Sequence, residues 1–118
     1  MAKHDKKKMI KKMNYDKEQD IFALHKGFSA DEKFKGNIDI GDLILDVSTK
    51  GRIRGIEILN ASTFLKDLKI KEGVLQNLKD ADFNASISPN NMVISLFLRA
   101  GEKEIPARIA VPLETVRI

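Results

Sequence analysis

A chain of 118 residues with 42% apolar and 32% charged side chains suits one globular domain with a modest core, not a disordered segment. It has no cysteine, which removes disulfides, thiolate metal sites and cysteine nucleophiles, and no apolar run nears the roughly 20 residues of a bilayer span. The net charge of +4 is uneven: residues 1–12 hold Lys3, Lys6, Lys7, Lys8, Lys11 and Lys12 against Asp5, for +5, and the remainder carries −1, so the basic character belongs to a tail.

Residues 1–10 read as a solvated lysine arm and 11–118 as a single domain. Asn14, Tyr15 and Asp16 follow the lysines with no apolar h-region, so the N-terminus does not read as a signal peptide and a cytoplasmic protein is expected. From Ile10 the apolar pattern is mostly period two, the mark of half-buried antiparallel strands. Met13 and Tyr15 share a face before the turn Asp16-Lys17-Glu18, and Phe22 and Leu24 share the next. Phe34, Ile38 and Ile40 line a third strand, with Lys33, Lys35, Asn37 and Asp39 opposite. After Gly41-Asp42, Leu43, Leu45 and Val47 line a fourth, which makes a meander with short connections.

The chain then turns through Ser48-Thr49-Lys50-Gly51, where Gly51 suits a left-handed backbone. In the fifth strand Ile53 has the wrong parity to join Ile56 and Ile58. Either a β-bulge at Gly55 repairs the register, or Ile53 faces the other side and is covered there. At Leu59-Asn60-Ala61-Ser62-Thr63-Phe64 a helix is expected to start, with the Asn60 side chain as N-cap and Leu59 and Phe64 as a hydrophobic staple. Phe64, Leu65 and Leu68 give it an apolar stripe, and a second short helix is expected through Val74, Leu75 and Leu78.

Strands resume with Phe83, Ala85 and Ile87, and after Ser88-Pro89-Asn90-Asn91 the unbroken alternation Met92, Ile94, Leu96, Leu98 follows. Ile105, Ala107, Ile109 and Val111 form a last inner face, and Pro106 on the opposite face marks an edge strand. The fold expected is α+β: a mostly antiparallel, rolled sheet of about seven or eight strands, a meander, with one or two short helices after the fifth.

Chemistry-bearing patterns are few. His4 and His25 belong to no metal-ligand spacing, and Asp39, Asp42 and Asp46 lack the ligand run of a calcium loop, reading instead as outward strand residues with Arg52 or Arg54 to pair with. Without a nucleophile elbow or phosphate loop, no catalytic, cofactor-binding or metal residue is assigned and a non-enzymatic protein is expected. Ile44, Val93 and Phe97 fall opposite the main core face and mark a possible interface, so a homodimer or another protein partner is expected, with no membrane. Nucleic acid held by the lysine arm is the alternative partner, through salt-dependent phosphate contacts.

Asn14-Tyr15-Asp16…Asp20, then Gly41-Asp-Leu-Ile-Leu-Asp46, then Gly51-x-Ile-x-Gly-Ile-Glu-Ile-Leu-Asn-Ala-Ser62 resembles a family of small bacterial and archaeal proteins catalogued only as a domain of unknown function. The resemblance covers residues 13–65, with the strands from Phe83 as an extension. It implies a compact antiparallel sheet plus helix and no agreed activity. Some members are similar to antitoxin-like partners of small ribonuclease-type proteins.

Overall fold

The computed structural model describes residues 12–112, which form eight antiparallel strands in two sheets, one α-helix and one 3-10 helix. The first sheet holds β1 (Lys12–Asp16), β2 (Ile21–His25), β3 (Phe34–Ile40), β4 (Leu43–Ser48) and β5 (Ile53–Leu59). After it come α1 (Ala61–Asp67) and the 3-10 helix (Glu72–Asn77), then β6 (Leu78–Ile87), β7 (Asn91–Ala100) and β8 (Lys103–Pro112) as the second sheet. The α+β class, with helices after the fifth strand, follows. His4 and the lysine arm as far as Lys11 lie outside the described residues, and Lys12 opens β1.

Strand order in the first sheet is β1-β2-β5-β4-β3, so sequence order breaks once. β2 pairs with β5, Phe22 opposite Ile58 and Leu24 opposite Ile56, while β3 crosses to the far edge beside β4. Burial explains the choice. Gly55, Ile56 and Ile58 are buried, whereas β3 exposes Lys35, Asn37 and Asp39, which suits an edge. The second sheet keeps sequence order, β6-β7-β8, and puts Pro106 on the edge strand β8.

Two one-residue slips adjust the faces. Asp46 pairs with Gly55 and Val47 with Ile53, leaving Arg54 as the extra residue and turning Ile53 into the core at 7% exposure. On β3 the slip falls between Phe34, paired with Ser48, and Gly36, paired with Val47. Lys35 is extra there, so Phe34 does not share the face of Ile38 and Ile40 as its parity suggests; its ring is half exposed. Gly51, at φ 75, makes the left-handed turn between β4 and β5.

One buried cluster unites both sheets with the helices: Phe22, Leu45 and Ile58 from the first, Phe83, Ile94 and Leu96 from the second, and Leu65, Ile70 and Leu75 between. Phe64 and Leu68 pack against it partly buried.

The helix start corrects the sequence reading. Asn60 stands at the N-cap with φ 51, and its side chain makes no cap hydrogen bond. Its amide instead reaches Asp42 Oδ1 at 3.3 Å. The cap comes from 42 residues away: the Ser62 N–H donates to Asp20 Oδ1 at 3.0 Å and the Ser62 hydroxyl to Asp20 Oδ2 at 2.6 Å. The Ala61 N–H donates to the Asp20 carbonyl at 2.9 Å. A carboxylate here satisfies orphan donors and sits favourably against the helix N-terminus.

Candidate functional site

Two polar knots hold the first sheet, and both are consumed by structure. Asp20 also accepts from the Tyr15 hydroxyl at 2.6 Å. Burial alone would raise the Asp20 carboxyl, but the hydrogen bonds from Ser62 and Tyr15 outweigh it and hold it below its ordinary value. The same bond to Asp20 pushes the Tyr15 phenol up to about 12. Tyr15 and Ser62 therefore meet at one carboxylate, that of Asp20.

The second knot is Glu32, whose side chain is wholly buried. It accepts from Arg52 Nε at 2.8 Å, from the Arg52 guanidinium at 2.7 Å, from the Ser48 hydroxyl at 2.5 Å and from the Ser29 N–H at 3.0 Å. The Arg52 guanidinium holds its carboxyl far below the usual carboxylate range. Arg54 Nε lies 3.7 Å from Glu32 and donates to the Gly27 carbonyl at 2.9 Å. Arg52 and Arg54 thus serve Glu32 in the 26–33 connection, not Asp42 or Asp46 as strand adjacency suggests. No buried side-chain polar atom among the described residues lacks a hydrogen-bond partner.

The outer face of the first sheet carries a row that crosses every strand: Lys12, His25, Gly55, Asp46 and Asn37 stand opposite one another in turn. His25 Nε2 lies 3.6 Å from Asp46 Oδ2 although a whole strand runs between them. Gly55 is what permits this, because a Cβ there would sit 2.5 Å from His25 Cδ2 and 2.6 Å from Asp46 Oδ2. The Gly27 N–H donates to His25 Nδ1 at 2.8 Å, which leaves the ring proton on Nε2, facing Asp46. Burial lowers the His25 pKa; Asp46 opposes the shift, and Arg54 and Lys12 reinforce it. With both nitrogens engaged, the imidazole has no free lone pair with which to take a proton from a substrate. Asn37 Nδ2 donates to Asp46 Oδ1 at 2.5 Å. Lys12, His25 and Asp46 of the row line a hollow of about 620 Å³ together with Asn14, Ala23 and Glu57.

Asp39, Asp42 and Asp46 do not converge. Asp39 stands opposite Ile44, Asp42 meets Asn60, and Asp46 belongs to the histidine row. No group of three or more metal-ligating side chains occurs among the described residues.

The outer face of the second sheet is of another kind. Its cross-strand rows are Asp80, Arg99 and Glu104; Asp82, Phe97 and Pro106; Asn84, Ser95 and Arg108; Ser86, Val93 and Ala110. Phe97 is 47% exposed, while Met92, Ile94, Leu96 and Leu98 on the other side of the same strand are at most 1% exposed. A groove of about 410 Å³ runs past Asp82, Phe97, Arg99 and Pro106. Val93 and Phe97 thus share one face, but Ile44 does not join them: it sits half-buried on the first sheet, between Asp39 and Glu57. No helix among the described residues is long and apolar enough to cross a membrane.

Sequence reasoning missed Glu32, Ser48 and the His25–Asp46 row. One signal for the row was present in the chain: a glycine at the centre of a buried strand marks a close approach by something else.

Residues 12–62 match the family described as Protein of unknown function (DUF2283). An uncharacterized protein of Methanocaldococcus jannaschii is 32% identical over 96 residues, covering 80% of this chain and 78% of that protein. A Methanosarcina mazei protein with a provisional hypoxanthine phosphoribosyltransferase name is 24% identical over 95 residues, covering 80% of this chain and 72% of its own length. No solved structure gives a significant match. The chain belongs to one family with the M. jannaschii protein, and its residues 12–62 form a DUF2283 domain.

Proposed function

We propose that this DUF2283-domain protein is a non-enzymatic interaction module that works as a homodimer through the outer face of its second sheet. The observation that carries the reading is Phe97. It is a large ring, half exposed at the middle of the ten-residue strand β7, with Pro106 beside it and the face around it open. A lone exposed aliphatic side chain means little, but an aromatic ring at the centre of an open sheet face offers apolar area that a partner can remove from water.

The first sheet supports the reading by contrast, since its polar side chains are spent on one another in the Asp20, Glu32 and His25–Asp46 groups. The transferase name of the M. mazei protein does not enter, because a likeness of 24% leaves that name with its own bearer. No observation among the described residues favours a nucleic-acid or ribonuclease-type partner over self-association.

Sedimentation velocity of the full chain over a wide concentration series tests the proposal. A monomer–dimer equilibrium is expected, weakened strongly by Phe97→Glu while the far-UV circular dichroism stays unchanged. A wild-type chain that remains monomeric at the highest concentration would sink the reading.

A further inference from the structure

Resting on that reading, we infer that the partner is a second copy of this chain, docked face to face with its two-fold axis along the row Asp82–Phe97–Pro106. Two sheets packed face to face keep their strands within about 30° of one another. A self-complementary pair can then place its dyad either along the strands or across them. Along the strands, β6 meets β8 and each row meets itself, so Arg99 lies over Arg99 and acid over acid. Across the strands, each strand meets itself and the rows reverse about the axis.

The charges choose the second arrangement and its position. With the axis on the Phe97 row, ring meets ring and Pro106 meets Pro106. Glu104, one row to one side, then lies over Arg108 of the copy, one row to the other side, and the converse pair forms at the same time. Neither Glu104 nor Arg108 has a charged or hydrogen-bonding side-chain partner among the described residues, and both are exposed. Moving the axis one row to Ser95 would stack Arg108 on Arg108, which like-charge repulsion opposes. On the chosen axis the like pair is Asp82, and Lys26 already stands 3.9 Å from it.

Edge-to-edge pairing through β8 is the competing route, and its prolines blunt it. A strand proline stands where its nitrogen faces away from the neighbouring strand. Pro106 and Pro112 have the same parity, so the open edge of β8 loses donors at both places. The face remains. Three strands of ten residues present roughly 33 by 14 Å, so two such faces with side-chain relief bury on the order of 1,000 Å², the lower bound of a specific interface. At that size the two symmetric ion pairs weigh on whether the dimer forms.

The test is a charge swap read by sedimentation equilibrium on the full chain. Glu104→Arg and Arg108→Glu are each expected to weaken self-association about tenfold, since each puts like charges together twice per dimer. The double variant restores the pairs and should return to near wild-type association, and the single-variant effects should shrink at high salt. Single variants without effect, or a double variant as weak as the singles, overturn the axis. If Phe97→Glu still dissociates the dimer in that case, the face stands and only the geometry falls; a wild-type monomer removes both.

Discussion

Replacing Gly55 by alanine separates two opposed expectations. Gly55 lies inside β5 with no positive φ, so intrinsic preference says that alanine should help by roughly 0.5–1 kcal/mol. The structure says otherwise, because the new methyl would lie 2.5 Å from His25 and 2.6 Å from Asp46. Both contacts are with the ends of side chains about a third exposed, so the side chains can swing aside and the backbone need not move. The cost is then the lost His25–Asp46 approach, the disturbed Asn37 bond and residual crowding, about 1–3 kcal/mol as for other overpacked sites. Net destabilisation of roughly 0.5–2 kcal/mol is expected, a fall in melting midpoint of a few degrees for a domain of this size. Urea unfolding of Gly55→Ala, alone and in a His25→Ala/Asp46→Ala background, measures it. In that background the clash is gone and alanine should become neutral or stabilising, a coupling of about 1–2 kcal/mol. If Gly55→Ala stabilises the wild-type chain, or costs the same in both backgrounds, Gly55 is not there to let the two side chains meet.

Asp20→Ala should cost about 2–3 kcal/mol in urea unfolding, because it strands the Tyr15 hydroxyl and the Ser62 donors together, while Asp20→Asn, tolerant of φ 57, should recover part of that. Glu32 has a depressed folded pKa, so its contribution to stability is whole above its ordinary value of 4.5 and is lost as pH falls below it. Glu32→Gln should be less stable at neutral pH and have a flatter acid limb in unfolding free energy against pH. Tyr15 has a raised one, so its contribution is whole below pH 10 and fades as pH climbs toward about 12; Tyr15→Phe should remove that alkaline loss. Phe34→Ser, at a ring the β3 slip turns outward, should change stability by less than about 0.5 kcal/mol and leave self-association untouched.

The sequence by itself determined what is local. Period two marked the strands, glycines at 41 and 51 marked turns that do have positive φ, and the wrong parity of Ile53 pointed at the place where the register slips. The exposed side of Phe97 was legible for the same reason, since alternation assigns each residue a face without reference to any other strand. Asn60 and Phe34 show where local rules stop. A side-chain cap and a shared face were both reasonable on spacing alone, and each was overruled by a distant residue or a slipped partner strand.

Only the tertiary structure decided which strands are neighbours, and with that the polar groupings among the described residues. Asp20 reaches Ser62 over 42 positions and Glu32 reaches Arg52 over 20, because β2 and β4 flank β5 and carry their connections to its two ends. His25 and Asp46 meet for the same reason, over the one residue between them that has no side chain. A one-dimensional pattern fixes which way a side chain points; what it points at depends on pairing, and pairing is settled by the burial of all eight strands at once.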